Sequence, residues 1–404
     1  MPQIPSGNVL IGQSGGPTSV INASLAGVIE AAKKAKGVKT IYGMRYGIEG
    51  FMEGRVVNLG AQKPAVIKGL YTTPSSALGS CRHKLKDEEL PKVLAMLKKF
   101  NIRFFFLIGG NDTMDTIHRV EAFCAKNGYD LRGVGIPKTV DNDLFGTDHT
   151  PGYGSAGRNV ALCVLQAGVL ARDMKRVDQF VIHQTVGREA GWLAAAAALA
   201  KTTPDSAPHI ILMPEVAFDK KKFLATVEAT HKKYGFVSIV CGEGITYADK
   251  TPVSASETRD KFNNVEFGAM GGTAVAVRLH QMITEHFKGW RGEFQVTESL
   301  PMCAADRASA ADVKEAAQCG RVAVQLATRG VSGVMVSMVR AKGAKYSINY
   351  ETVPLGEVAV HAKPMPRTMI TADGFFVTRK FLDYARPLVG DLPEYATLDF
   401  TKTK

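Results

Sequence analysis

Short apolar runs alternate along the chain with stretches whose apolar residues recur at helical spacing. The first run, Asn8 to Gly12, reads as a strand and leads into the polar turn Gln13-Ser14-Gly15-Gly16-Pro17-Thr18. Ala, Leu, Ile and Val at helical spacing then predict a helix from Ser19 to about Lys36. Val38 to Gly43 is the next expected strand, Leu90 to Phe100 an amphipathic helix, and Arg103 to Ile108 a buried strand. That strand ends in Gly109-Gly110-Asn111-Asp112-Thr113, ahead of a helix to about Asn127. Val134 to Ile136 is a further strand, ending in Pro137-Lys138-Thr139-Val140-Asp141-Asn142-Asp143. Strands alternating with helices predict a mostly parallel sheet covered on both faces. Ligands of such sheets sit beyond the carboxyl ends of the strands, so the three polar loops should converge on one cleft.

A second α/β stretch begins near Thr150. Its expected strands are Gln179–Gln184, His209–Met213 and Val237–Cys241, with an alanine-rich helix at Ala190–Lys201. A helix at Gly272–Phe287 and the segment Gln295–Asp312 follow, and the tail to Lys404 is expected to be rich in helix.

Composition narrows the class. The chain has 404 residues, 45% of them hydrophobic, which is enough for roughly two or three domains. No apolar run approaches the ~20 residues of a membrane span, and the N-terminus lacks a signal-peptide pattern. The six cysteines are widely spaced with no C-x-x-C pair, which argues against a zinc site or a disulfide framework. A reducing, cytoplasmic setting is the expectation. Lys plus Arg number 50 against 38 Asp plus Glu, a formal charge of +12 that calls for an acidic partner. The basic residues are scattered rather than clustered with aromatics, so nucleic acid is a poor fit. Phosphorylated small molecules remain, as does a plain solvated surface.

The loop at Pro137–Asp143 carries the strongest chemistry. Lys138 is a cation for a phosphoryl group and Thr139 supplies a hydroxyl. Of Asp141 and Asp143, one can accept a proton from a hydroxyl nucleophile while the other helps to hold Mg²⁺. Phosphoryl transfer needs this set. A turn capped by Asp and Asn is the competing explanation.

Taken with Gly12–Asn22, Tyr46–Gly50, Leu78–Arg82, Gly109–Thr113, Val186-Gly187-Arg188, Pro214-Glu215 and Glu243 between two glycines, this loop resembles the phosphofructokinase family, in its pyrophosphate-dependent branch. The resemblance runs through nearly the whole chain. It implies two three-layer α/β/α domains with mostly parallel sheets and an active site in the cleft between them. The larger domain, expected at 1–145 plus about 255–305, would bind pyrophosphate and Mg²⁺. The smaller, expected at about 146–254 plus 306–404, would bind the acceptor sugar. The resemblance makes Asp141 the base and gives Asp143 a supporting role, with Asn111 and Asp143 toward the metal. Gly16, Arg82, Gly110, Asp112, Thr113 and Lys138 would hold the donor, and Thr139 would contact the transferring group. Val186, Gly187, Arg188, Glu243, Ser299 and Met302 would join Thr139 and Asp141 around the acceptor, Arg188 also steadying charge in the transition state. Members that use ATP carry glycine at the positions of Asp112 and Lys138. Here Asp112 would fill the space of a third phosphate and repel it, and Lys138 would serve the shorter donor. A homodimer or homotetramer is expected.

The acceptor end departs from the family. Members that hold fructose 6-phosphate place cations where this chain has Gln179, Gln295 and Met302, and where a Gly is usual it has Glu298. Each lost charge-assisted bond to a phosphate is worth roughly 1.5–3 kcal/mol. The default expectation is phosphoryl transfer from pyrophosphate to fructose 6-phosphate. The alternatives are an acceptor without that phosphate (a sugar, polyol or nucleoside), a site restored by Arg176, Arg307 or a neighbouring subunit's lysine, and a silent sugar-phosphate-binding regulatory subunit. His149 and His183 are expected to be buried and hydrogen-bonded.

Overall fold

A computed structural model describes residues 6–254, 274–343, 345–396 and 398. The strand at Gly7–Gln13 (β1) is buried along almost its whole length and lies between Val38–Met44 (β2) and Ile102–Gly109 (β4), parallel to both. Arg132–Pro137 (β5) is parallel to β4 on its far side, and Val56–Asn58 (β3) closes one edge antiparallel to β2. Apolar residues fill both faces of β4: Phe105 and Leu107 join one core cluster, Phe104, Phe106 and Ile108 the other. A strand covered on both sides reads as a continuous apolar run, which is what Arg103–Ile108 shows.

The chain then builds a second, all-parallel sheet from Phe180–Thr185 (β6), Ile210–Leu212 (β7), Val237–Gly242 (β8) and Gly292–Val296 (β9), in the order β7-β8-β6-β9. It then returns. Val334–Arg340 (β10) lies parallel to β5, and Ile348–Pro354 (β11) pairs antiparallel with β10, so the larger sheet runs β11-β10-β5-β4-β1-β2-β3. This differs from the expected division in two ways. The segment to about 305 includes β9, which belongs to the smaller sheet, and the tail after 306 supplies two strands to the larger one. The tail is therefore not wholly helical. The expected boundary at 255 and the helix start at Gly272 lie outside the described residues.

Helices cover both faces. Tyr153–Asp173 (α6) and the helix Trp192–Ala196 (α7) pack on one face of the smaller sheet, Lys220–Tyr234 (α8) and Val275–His286 (α9) on the other. The alanine run expected as one helix is α7 followed by a tighter turn at Ala197–Ala200. On the larger sheet, Ile21–Ala32 (α1) crosses Ala310–Thr328 (α10) at glycines. A Cβ on Gly27 would stand 2.0 Å from Ala317 O, and one on Gly320 would stand 2.2 Å from Ser24 O. Backbone cannot move aside as a side-chain tip can. Gly27→Ala should therefore destabilise the fold by about 3 kcal/mol or more. Gly69→Ala, with nothing within 4 Å of the added methyl, should change it little. Urea unfolding of the two variants side by side checks this.

Candidate active site

The loops after β1, β4 and β5 meet at the carboxyl ends of their strands, on both sides of the point where the strand order reverses from β1–β2 to β4–β5. With Arg188, Glu189 and Ala190 beyond β6 they enclose a cavity of about 480 Å³ between the two sheets. Gly16, Arg82, Gly110, Asn111, Asp112, Thr113, Lys138, Thr139, Asp141, Asp143, Arg188 and Met302 all line it, so twelve expected residues converge.

The end of the cavity expected to take the donor is built from backbone and cations. Asn111–Lys126 (α5) points its N-terminus at the cavity, and unpaired N–H groups there favour an anion. Gly15 and Gly16 follow β1, and Lys138 Nζ reaches across to donate to Gly16 O at 2.6 Å. Lys138 is 4% exposed. Burial lowers its pKa to about 8, with Asp141 and Asp143 restoring part of the shift and Arg82 adding to it. Asp112 is exposed at the start of α5, 3.9 Å from Lys84 Nζ.

Asp141 stands at the centre. Its Oδ1 is buried with no hydrogen-bond partner among the described residues. Burial, then Asp143 and Glu243, push its pKa up to about 7, against the opposing charges of Lys138 and Arg188. A carboxylate poised near neutral pH suits a general base. Asp143 is also raised, mainly by burial. Between them Asn142 adopts φ of 58°, its side chain accepting from Thr150 N at 3.0 Å and donating to Tyr384 Oη at 2.8 Å. Gly187, at φ of 123°, lets the chain pass close by: a Cβ there would lie 4.0 Å from Asp141 Oδ1 and 2.9 Å from Ala190 O.

Magnesium is implied by the family resemblance, and the donor set fits a shared site. Among the described residues no cluster of three or more His, Cys, Asp or Glu could hold a metal. Asn111 Oδ1 is, however, buried and without a partner among the described residues, and Asn111 and Asp143 both line the cavity. Two oxygen donors plus substrate phosphates match the way Mg²⁺ is usually bound.

The acceptor-side expectations divide. Glu243 Oε1 accepts from Gly187 N at 3.3 Å and stands 4.0 Å from Arg188 Nε. Val186 packs on the α6–α7 core, and Ser299 is exposed; neither lines the cavity. Met302 does, but against the donor loop, since a Cβ on Gly16 would lie 2.7 Å from its Cε. The turn at Leu300–Met302 aims it there. Gln179 is spent on backbone, accepting from Arg291 N at 2.8 Å. Gln295 shares a hydrogen bond of 3.4 Å with His183 Nδ1. Burial lowers the His183 pKa, and its Nε2 has no partner among the described residues. Arg307 lies beside Asp306 and Cys163. The expectation for His149 holds: Nδ1 is 2.9 Å from Asp148 Oδ1 and Nε2 is 2.7 Å from Glu315 Oε2.

That pair of carboxylates raises the His149 pKa above 6.5 despite burial. A raised folded value means the imidazolium stabilises the fold fully below the unfolded value and loses that contribution as pH rises through the folded one. Arg340 and Tyr346 complete its surroundings, contacting Asp148 and Glu315. His149→Gln should therefore cost most stability near pH 6, and the gap from the native chain should shrink at alkaline pH. Urea unfolding across that range measures it.

Loops that gather cations and buried carboxylates at the mouth of two mostly parallel sheets place the chain in a definite class, and comparison with known proteins agrees. The phosphofructokinase family model matches residues 8–327. A pyrophosphate–fructose 6-phosphate 1-phosphotransferase of Methylococcus capsulatus is 37% identical, with 97% of this chain and 96% of that one covered. A sulfofructose kinase of Alkalicoccus urumqiensis is 33% identical, covering 86% and 87%. The crystal structure of a pyrophosphate-dependent phosphofructokinase from Nitrosospira multiformis matches with a TM-score of 0.87 at 36% identity, covering 96% of this chain and 94% of that one. The chain belongs to the phosphofructokinase family and is a phosphotransferase.

Lys84, His83, Thr116 and Glu189 also line the cavity and were not expected. Lys84 and His83 directly follow the Leu78–Arg82 motif, which was the available signal. Lys363 contacts the same loop from far along the chain, and no local pattern marks it.

Proposed function

We propose that the protein transfers a phosphoryl group from pyrophosphate to the 1-hydroxyl of fructose 6-phosphate, giving fructose 1,6-bisphosphate and phosphate, reversibly and within glycolysis. The unpartnered, buried Asp141 Oδ1 beside Gly187 carries this reading: it is an acceptor awaiting a hydroxyl proton. Asp141 takes that proton, the hydroxyl oxygen forms a bond to phosphorus, and the bridging P–O bond breaks to release phosphate. Lys138 and Arg82 hold the donor oxygens, and Arg188 faces the charge that builds on the transferring group. Asn111 and Asp143 would hold Mg²⁺ with the pyrophosphate, and the ion would neutralise phosphate charge. Asp112 disfavours a third phosphate. The six free thiols suit a cytoplasmic enzyme, and the family's habit supports a homodimer or homotetramer.

A second reading concerns the acceptor alone. Gln295 faces a histidine that burial keeps neutral rather than a cation, and one relative is a kinase of a sulfonated sugar. On that reading the donor chemistry is unchanged, but the acceptor lacks the 6-phosphate or carries another group there. Steady-state rates with pyrophosphate across fructose 6-phosphate, sulfonated and unphosphorylated sugars, polyols and nucleosides decide. The first reading predicts the highest kcat/KM for fructose 6-phosphate; a markedly better neutral or sulfonated acceptor would replace it with the second.

A further inference from the structure

We infer that Lys363 is a positioning residue for the reaction, setting the loop that carries Asp141 and Asp143 and tying it to the opposite wall of the cleft. The inference rests on the proposed function, since that reading makes these two aspartates the reacting groups.

The lysine grips the loop at four points. Its backbone N–H donates to Asp143 O at 2.7 Å. Its ammonium donates to Asp148 O at 2.7 Å, Thr147 O at 3.2 Å and Asn142 Oδ1 at 3.5 Å. The flanking residues continue the contact: Ala362 bridges Leu144 antiparallel, and His361 O accepts from Asn111 Nδ2 at 3.4 Å. On the other side of the cleft, Trp192 Nε1 donates to Lys363 O at 3.2 Å, and the ammonium lies 5.2 Å from the centre of the Trp192 ring. Met365 N donates to Glu215 Oε1 at 3.1 Å, the carboxylate that also caps Gly191 N. Residues 361–365 thus form a strap touching Asn111 and Asp143 on one wall and Trp192 and Glu215 on the other.

A purely structural role would be met by an apolar side chain of similar length, because burying an ammonium is costly. Here the charge is spent on carbonyls of the loop whose middle residue, Asn142, holds an unusual left-handed backbone conformation. Without those bonds the loop can relax, and displacement of reacting groups by about 1 Å costs on the order of a hundredfold in rate.

Lys363→Met tests this in the full-length protein. It should lower kcat by on the order of a hundredfold while the KM values for pyrophosphate and acceptor stay within about threefold. Amide hydrogen exchange should quicken over residues 138–149 and not in β1 or β8. If the Met variant does not fold, Lys363→Arg, which keeps the charge but not the compact ammonium, should show the same split at smaller size. A kcat within threefold of the native value, or unchanged exchange over 138–149, would overturn the inference. Native protein that consumes no pyrophosphate would defeat the functional reading instead, and the exchange result would still decide the role of Lys363.

Discussion

Asp141→Ala should reduce turnover with pyrophosphate about a thousandfold, with little change in either KM. The expectation follows from what the carboxylate does in the fold. Among the described residues Asp141 Oδ1 makes no hydrogen bond that its loss would break, so the variant should fold normally. Removing it also relieves repulsion with Asp143 and Glu243, which both raise its pKa. Thermal stability should hold or rise while the rate collapses. That opposition is characteristic of a site that holds charge in a costly place for the sake of reaction, and a residue of purely structural value would show the reverse. Asp141→Asn, closer in shape, should be as slow, because an amide cannot take the proton. Circular dichroism melting alongside initial rates measures both.

Lys138→Met should have the second largest effect. The ammonium is buried and anchored 2.6 Å from Gly16 O, so it joins the loop after β5 to the loop after β1 at the cavity proposed to take the donor. Loss of one charge-stabilising donor in a desolvated site costs about 100- to 1,000-fold in kcat. The KM for pyrophosphate should rise as well, since the same cation serves bound and transition states. ATP should not become a good donor, because the Asp112 carboxylate remains at the start of α5 to repel a third phosphate. Asp112→Gly added to Lys138→Gly should raise the ratio of ATP to pyrophosphate kcat/KM relative to the native enzyme. Rates with each donor at fixed acceptor concentration measure it.

Much of this site was legible because its parts are local. Apart from Arg82, which lies well past β3, the expected donor-side groups follow directly on the apolar strands β1, β4 and β5, and in a mostly parallel sheet the segments after such strands end on one side. Gly16, Asp112, Lys138 and Asp141 came together for that reason. The domain division was less legible. β9 is short and half exposed, and β10 joins the larger sheet only after the chain has built the smaller one. The tail was expected to be rich in helix, and nothing local to Val334–Arg340 says that it forms a strand of the larger sheet. Met302 was expected beside the acceptor, whereas the tight turn at Leu300–Met302 swings it onto Gly16. Lys363 was invisible for a further reason: it acts on Asp143 through backbone carbonyls, and a carbonyl leaves no trace in a side-chain motif.

The +12 charge of the chain is mostly surface, yet a few of its cations define the cavity. Arg82, Lys84, Lys138 and Arg188 line it together with Asp112, Asp141, Asp143 and Glu189. Such mixed charge suits a ligand carrying its own counter-ion, as a magnesium pyrophosphate does.

The most direct measurement is phosphorus NMR of the purified enzyme with Mg²⁺, fructose 6-phosphate and either pyrophosphate or ATP. The account predicts loss of the pyrophosphate signal with stoichiometric appearance of phosphate and a new sugar phosphate ester, and little or no change with ATP. Rapid ester formation from ATP with pyrophosphate left intact would contradict it.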